Sequence, residues 1–298
     1  MNGITTREAV RTEVKGQARA GSVARIAMAV ALACSAGGAF AADWSDTFIG
    51  YTYGPQMRQP GSDEFVTKNI FTLQHVSGYK YGVNFFNVDM LKSDTNNPAK
   101  GPTIGQPSKR GAQEVYVVYQ NTLSFNSLTN SKSFTAGPIA DLGLQLGFDF
   151  NSMNDTFGAG LIKLIGGPKV TLAVPGLLQF GLLYYKEYNN NGFSGQNVDF
   201  DAALRLSSVW SFNFDAGLPS VIKGWATYTG QKGFNTLPET WFETSYLVDV
   251  GTLAGQPKTF YAGVGYQYIN HKFGTNTHST GIPGGKVSSP MFKFEAHF

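Results

Sequence analysis

From Asp43 onward the chain alternates apolar and polar side chains at a period of two, and no later segment approaches the roughly 18 consecutive apolar residues expected of a membrane helix. Successive side chains of a strand point to opposite faces, so this pattern describes a sheet with one greasy face and one wet face. Met291 to Phe298 shows it plainly: Phe292, Phe294, Ala296 and Phe298 share one face, and Lys293, Glu295 and His297 the other. The 36 glycines, 23 phenylalanines and 14 tyrosines suit a pleated wall better than a helical core.

The pattern alone does not say which face meets water, because a soluble sandwich or lipocalin-like barrel would show the same alternation in the opposite sense. The two ends supply the sense. Arg7, Arg11, Lys15, Arg19 and Arg25 precede an apolar stretch from Ile26 to Phe40, and Ala39 with Ala41 forms the small-residue pair of a signal-peptidase site. The expectation is a signal peptide over residues 1 to 41 and an exported domain over 42 to 298. Phe298 resembles the terminal aromatic read by the barrel-assembly machinery of Gram-negative bacteria. Together these features place the chain in the bacterial outer membrane, with the apolar face towards lipid.

The net charge of +3 belongs to the leader. Residues 1 to 41 hold five of the 23 Lys/Arg and two of the 20 Asp/Glu, leaving 18 of each sign. No basic patch argues for nucleic acid. The single cysteine, Cys34, also lies in the leader, so the exported part has neither a disulfide nor a cysteine metal site, which suits passage through an oxidising periplasm.

Twelve alternating segments are expected, at 43 to 54, 64 to 76, 79 to 91, 112 to 125, 139 to 151, 157 to 174, 177 to 188, 198 to 213, 220 to 230, 239 to 250, 258 to 272 and 287 to 298. The sixth is interrupted by Gly166, Gly167 and Pro168. An even count puts both ends on one side, as a bacterial single-chain barrel requires. Periplasmic turns then fall at Ser77 to Gly78, 126 to 138, Pro175 to Gly176, 214 to 219 and 251 to 257. The longer outer loops include 92 to 111, Asn189 to Asn197 and Phe273 to Lys286. The fold class read from this is all-β, a transmembrane antiparallel barrel of twelve strands. The expected lipid face includes Leu142, Leu144, Leu146 and Phe150, then Phe200, Leu204, Leu206 and Phe212. Closure leaves no sheet edge and satisfies the backbone inside the bilayer.

The lumen is the candidate site. Lys68, Asn84, Phe86, Glu114, Tyr116, Asp149, Asp199, Asp201, Arg205, Glu243 and Lys293 are expected to point inward, mixing charges with aromatic faces that could hold neutral ring-bearing solutes. Phosphate-loop, dinucleotide and zinc-protease motifs are absent, and the four histidines do not cluster, so no cofactor or metal is expected. His75 and Ser77, followed by Gly78, faintly resemble the His-x-Ser-Asn-Gly segment of outer-membrane phospholipase without its asparagine. A lipase-like hydrolase is therefore one alternative, and a non-conducting barrel that serves as an adhesin or phage receptor is another.

An ordered series of short segments resembles the Tsx-like nucleoside-specific channel-forming outer-membrane family. It comprises Tyr53 to Arg58 with Lys68 to Ile70, Tyr81 to Asp89 with Lys92 to Asp94, Glu114 to Tyr119, Gly167 to Lys169, Val174 to Gly176, Tyr185 to Asn189, and Gly263 to Tyr268 with Lys272 to Gly274. The resemblance implies a monomeric, narrow barrel that passes nucleosides by facilitated diffusion. It adds Arg58 and Asp89, near the outer mouth, to the candidates. Asp89 has the opposite parity to Asn84 and Phe86, so either a bulge separates them or the two sides of the wall are represented.

Overall fold

The computed structural model describes residues 42–101, 106–155, 157–158, 160–191 and 195–298. The leader expected over residues 1 to 41 lies outside them. Fifteen strands run in chain order: β1 Trp44–Met57, β2 Val66–Tyr79, β3 Gly82–Ser93, β4 Pro98–Lys100, β5 Pro107–Gly111, β6 Gln113–Ser124, β7 Ile139–Met153, β8 Ile162–Leu172, β9 Leu177–Asn191, β10 Gln196–Asp199, β11 Ala203–Asp215, β12 Pro219–Thr229, β13 Glu239–Asp249, β14 Phe260–Asn270 and β15 Val287–His297. Short β4 and β5 pair with each other, with Ala99 of β4 also bridging to Asp155, and β10 pairs with the end of β9.

The other twelve strands close into one antiparallel barrel. The seam joins β1 to β15, with Phe48 opposite His297 and Tyr53 opposite Phe292, and β8 to β9 completes the ring. Each of the twelve expected segments overlaps one of these strands, with bounds that differ by a few residues. Eleven to fifteen residues per strand meet or exceed the roughly nine to eleven needed to cross a bilayer, so the longer strands project beyond the hydrocarbon. Among the described residues no helix is long and apolar enough to cross a membrane, which is immaterial to a wall that crosses with strands.

The alternation sorts side chains as the sequence suggests. Phe71, Met90, Leu146, Phe180, Leu206 and Phe292 are exposed on the outer face, and register places all of them on one side of the wall. Aromatic stacks reinforce that face, as in Phe260 on Phe294 with centroids 6.1 Å apart and Trp210 on Phe242 at 5.6 Å. Gln145, Asp149, Lys163, Glu187 and Glu295 are buried on the inner face. An apolar belt around a polar interior is the architecture of an outer-membrane-type barrel, and the protein is a bacterial outer-membrane barrel.

Several connections differ from the expected ones. Ser77 and Gly78 stay within β2, and the tight turn falls three residues later, at Lys80 and Tyr81. The long inner connection 126 to 138 contains a short helix, Phe125–Thr129, started by Ser124, whose side chain accepts from the Ser127 N–H and so satisfies a first-turn donor. A register shift between Ile139 and Asp141 follows it, a bulge at the start of β7. Gly166, Gly167 and Pro168 do not break β8. Gly167 pairs with Gln145, and a Cβ on it would lie 2.3 Å from the Leu182 carbonyl oxygen, so glycine permits close approach of β9 there. The strand starts at Ile162 rather than 157.

Candidate functional site

Register sets which residues can meet inside the bore. Across the outer half of the wall, Tyr116 of β6 faces Asn151 of β7, and the next row inward aligns Val118, Asp149, Lys163 and Glu187 across β6 to β9. Side chains in these rows form ion pairs because charges inside a low-dielectric wall must be compensated. The Lys68 Nζ is 3.2 Å from Glu114 Oε2, and Asn151 donates to the other Glu114 oxygen. The Tyr116 hydroxyl donates to Asp149 at 2.8 Å and accepts from Lys163 at 2.9 Å. Glu187 accepts from Tyr185 and from Lys232, and Arg205 lies 4.0 Å above the Tyr185 ring.

A second tier stands nearer the chain ends. Lys293 Nζ contacts Glu243 at 2.6 Å, with Gln267 donating to the same carboxylate at 2.9 Å. Thr72 donates to Asp89 at 2.6 Å. Lower still, Lys223 pairs with Glu295 at 2.6 Å, and His297 bridges Asp46 and Glu295. Trp225 and Trp241 share the inner face on neighbouring strands and stack with centroids 6.1 Å apart. Both remain partly exposed, so they present ring surface to the bore.

The sequence candidates divide accordingly. Lys68, Asp89, Glu114, Tyr116, Asp149, Arg205, Glu243 and Lys293 lie on the inner face. Asn84 and Phe86 do not. Ladders on both sides of β3 run unbroken, so Asp89, opposite Thr72 and Tyr116, carries Phe85 and Asn87 inward and leaves Asn84 and Phe86 on the outer face. There Asn84 accepts from Tyr119 and Asn121, both at 2.9 Å, in a polar group near the inner rim.

Asp199 and Asp201 also leave the lumen. The barrel strand β11 begins only at Ala203, and Asp199 sits on β10 beyond the rim, where its 63% exposed side chain pairs with Lys186 at 2.6 Å. Asp201 is exposed and its N–H donates to the Lys232 carbonyl. Between them the chain turns inward at Phe200, which is buried beneath Lys232 rather than facing lipid. Arg58 lies in the β1–β2 loop at the outer mouth, 4.5 Å over Phe65 and 3.8 Å from Asp63.

His75 Nδ1 is 2.7 Å from the Thr47 hydroxyl, on the outer face at the end of the barrel where Trp44 and Phe298 lie. Among the described residues no group of His, Cys, Asp and Glu is arranged to hold a metal ion.

At the opposite end the loops enclose a cavity of about 300 Å³. Its floor includes Glu114, Tyr116, Asn151 and Asn189, and its walls include Phe157, Leu161, Phe200, Phe234, Phe273 and Ile282. Two ionisable loop groups stand beside it. Burial pushes the Asp155 carboxyl up, although it accepts the Gly158 N–H at 2.7 Å. Burial pulls Lys272 down to about 7; its ammonium donates to the Arg58 carbonyl and to Gln59 Oε1, both at 2.8 Å.

Sequence reasoning missed Lys163, Lys223, Trp225, Trp241 and Asn151, whose parity was available once the inner face of each strand was known. Lys232 carried no such signal, because it reaches Glu187 from a loop.

No family model matches the chain, and no curated protein sequence matches it. Among solved structures, it is similar to the KdgM porin, with a TM-score of 0.43 and 10% identity over 84% of this chain and 99% of that one. The NanC porin gives 0.42 and 11% over 85% and 99%. The translocator domain of the autotransporter NalP from Neisseria meningitidis gives 0.41 and 13% over 95% and 98%. The barrel assignment rests on the strand register, independently of these likenesses.

Proposed function

We propose that the chain is a passive outer-membrane channel for small uncharged solutes that carry a ring, nucleosides or compounds like them. The observation that supports this reading most is the sorting by face: apolar residues outward, and inward a ladder of compensated ion pairs interrupted by the Trp225–Trp241 stack. Paired charges leave no strong field to hold an ion, whereas ring faces and hydrogen-bonding amides offer weak, reversible sites. Such sites speed diffusion down a gradient without trapping the solute, and no step requires bond chemistry.

In this reading residues 1 to 41 are a signal peptide, Phe298 is read by the assembly machinery, and the barrel acts as a monomer, as the resemblance to Tsx-like channels implies. Lys68, Asp89, Glu114, Tyr116, Asp149, Arg205, Glu243 and Lys293 line the path, while Arg58 stands at its mouth. Liposome swelling with nucleosides, sugars and amino acids of matched size tests it. Nucleosides should enter fastest and show saturation; equal rates across the panel would remove the selectivity.

A further inference from the structure

We propose that the loop-side rim over β3 is a docking site for lipid A, in which Lys92, Lys109 and Arg110 hold a phosphate of this outer-leaflet glycolipid. The proposal requires the barrel to sit in the outer membrane with its longer loops outward. It is independent of what passes through the bore.

The outer face of the wall sets the level of the site. One row across β1, β2, β3 and β6 reads Tyr51, Phe71, Met90 and Val115, and the last three are 51%, 50% and 40% exposed. One step of two residues towards the loops, about 7 Å further along, the same strands present Asn69, Lys92 and Gln113. Apolar side chains give way to polar ones within that step, which marks the boundary between acyl chains and headgroups. Tyr51 straddles it, as an interfacial tyrosine does: its ring lies 5.3 Å from that of Phe71, and its hydroxyl donates to Asn69 at 2.6 Å. Lys92 therefore stands at headgroup depth.

The hairpin of β4 and β5 brings two more cations to the same point. The Lys92 ammonium donates to the Gly111 carbonyl at 2.6 Å, and Lys109 and Arg110, the two residues before Gly111, are both exposed. Consecutive Cα atoms are 3.8 Å apart, so both side chains start within about 8 Å of the Gly111 Cα. An ammonium has three donors, which leaves two on Lys92 for a ligand. Among the described residues none of the three cations makes an ion pair. Asp94, two residues after Lys92, is engaged by the Thr67 N–H at 2.9 Å and the Asn96 N–H at 3.0 Å.

An uncompensated cationic cluster above an apolar face calls for an anion that carries acyl chains. A phosphate monoester offers three acceptor oxygens and close to two charges, which suits an ammonium beside a guanidinium fork. Lipid A carries such monoesters and places its acyl chains against Phe71, Met90 and Val115 below. A phosphodiester headgroup such as that of phosphatidylglycerol has one charge and fewer free oxygens, so it fits less well.

Native mass spectrometry of the folded barrel, released from detergent and titrated with diphosphoryl lipid A, counts the bound lipid directly. One lipid A should bind at lower concentration than phosphatidylglycerol does. Lys92→Gln, Lys109→Gln and Arg110→Gln should each raise its Kd about fivefold, the scale of one basic residue beside an anionic headgroup. Lys109 and Arg110 are exposed, so their variants decide the matter if Lys92→Gln fails to fold. Lys80→Gln, in the exposed turn at the opposite rim, should leave the Kd unchanged. No bound lipid A, equal affinity for phosphatidylglycerol, unchanged affinity in the Lys109 and Arg110 variants, or an equal loss in Lys80→Gln overturns the site.

Discussion

Replacing Lys232 with methionine should destabilise the barrel by about 3 kcal/mol, because it strands a carboxylate in the interior. Lys232 and Glu187 are 3% and 1% exposed in their side chains, so water cannot take over when one partner is removed. Breaking a buried pair from one side costs about 3 to 5 kcal/mol. The lower figure applies because Tyr185 and Asn189 still donate to Glu187 and Lys163 faces it across the β8–β9 ladder. Methionine keeps a side chain of similar length while removing the ammonium that stands 4.3 Å over the Phe200 ring. Adding Glu187→Gln removes the orphaned charge and should return about 2 kcal/mol, a coupling within the usual range for contacting residues. Guanidinium unfolding in lipid vesicles, followed by tryptophan fluorescence, measures all three variants. A cost under about 1 kcal/mol for Lys232→Met, the scale of an exposed pair, would refute the buried-pair account and with it the inward anchoring of that loop.

Leu146→Arg, on the outer face midway along β7, should cost about 2 to 4 kcal/mol in vesicles, and an effect near zero would mean that this face does not meet hydrocarbon. Gly263→Ala places a Cβ 2.0 Å from the Tyr246 carbonyl oxygen, so β13 and β14 must separate locally; a loss of about 1 to 3 kcal/mol is expected in the same unfolding assay. Trp225→Ala should weaken block of conductance by ring-bearing solutes by about 1 kcal/mol, the scale of one aromatic contact, with sugars unaffected. Lys272 titrates at about 7 when folded against its ordinary 10.5, so the unfolded chain binds the extra proton between those values. Stability should therefore rise from pH 7 towards 10, and Lys272→Met should flatten that slope in denaturation midpoints measured at several pH values.

The wall was legible in the sequence because lipid on one side and polar side chains on the other impose an uninterrupted period of two. Even β8, with glycines and a proline in its middle, kept its place: Gly167 serves close strand approach, and Pro168 occupies a ladder position where its missing N–H is tolerated. Parity was harder to assign where a strand has polar residues on both faces. In β3, Asn84 and Asp89 are both polar, and only pairing with Thr72 and Tyr116 shows that Asp89 is the inward one. Asp199 and Asp201 were misplaced because the alternation continues through β10 although the barrel ladder does not. The outer site was hidden for a different reason. Phe200, Phe234 and Phe273 come to the mouth through loop conformations, over Asn151 of β7 and Asn189 of β9, and no local pattern in the chain encodes that meeting.

Single-channel recording in planar bilayers, with residues 42 to 298 folded from detergent, tests the central claim most directly. The account predicts small, steady current steps that adenosine reduces in a saturable way. A membrane that stays silent after verified insertion, or a chain that remains monomeric and soluble without detergent, would contradict it.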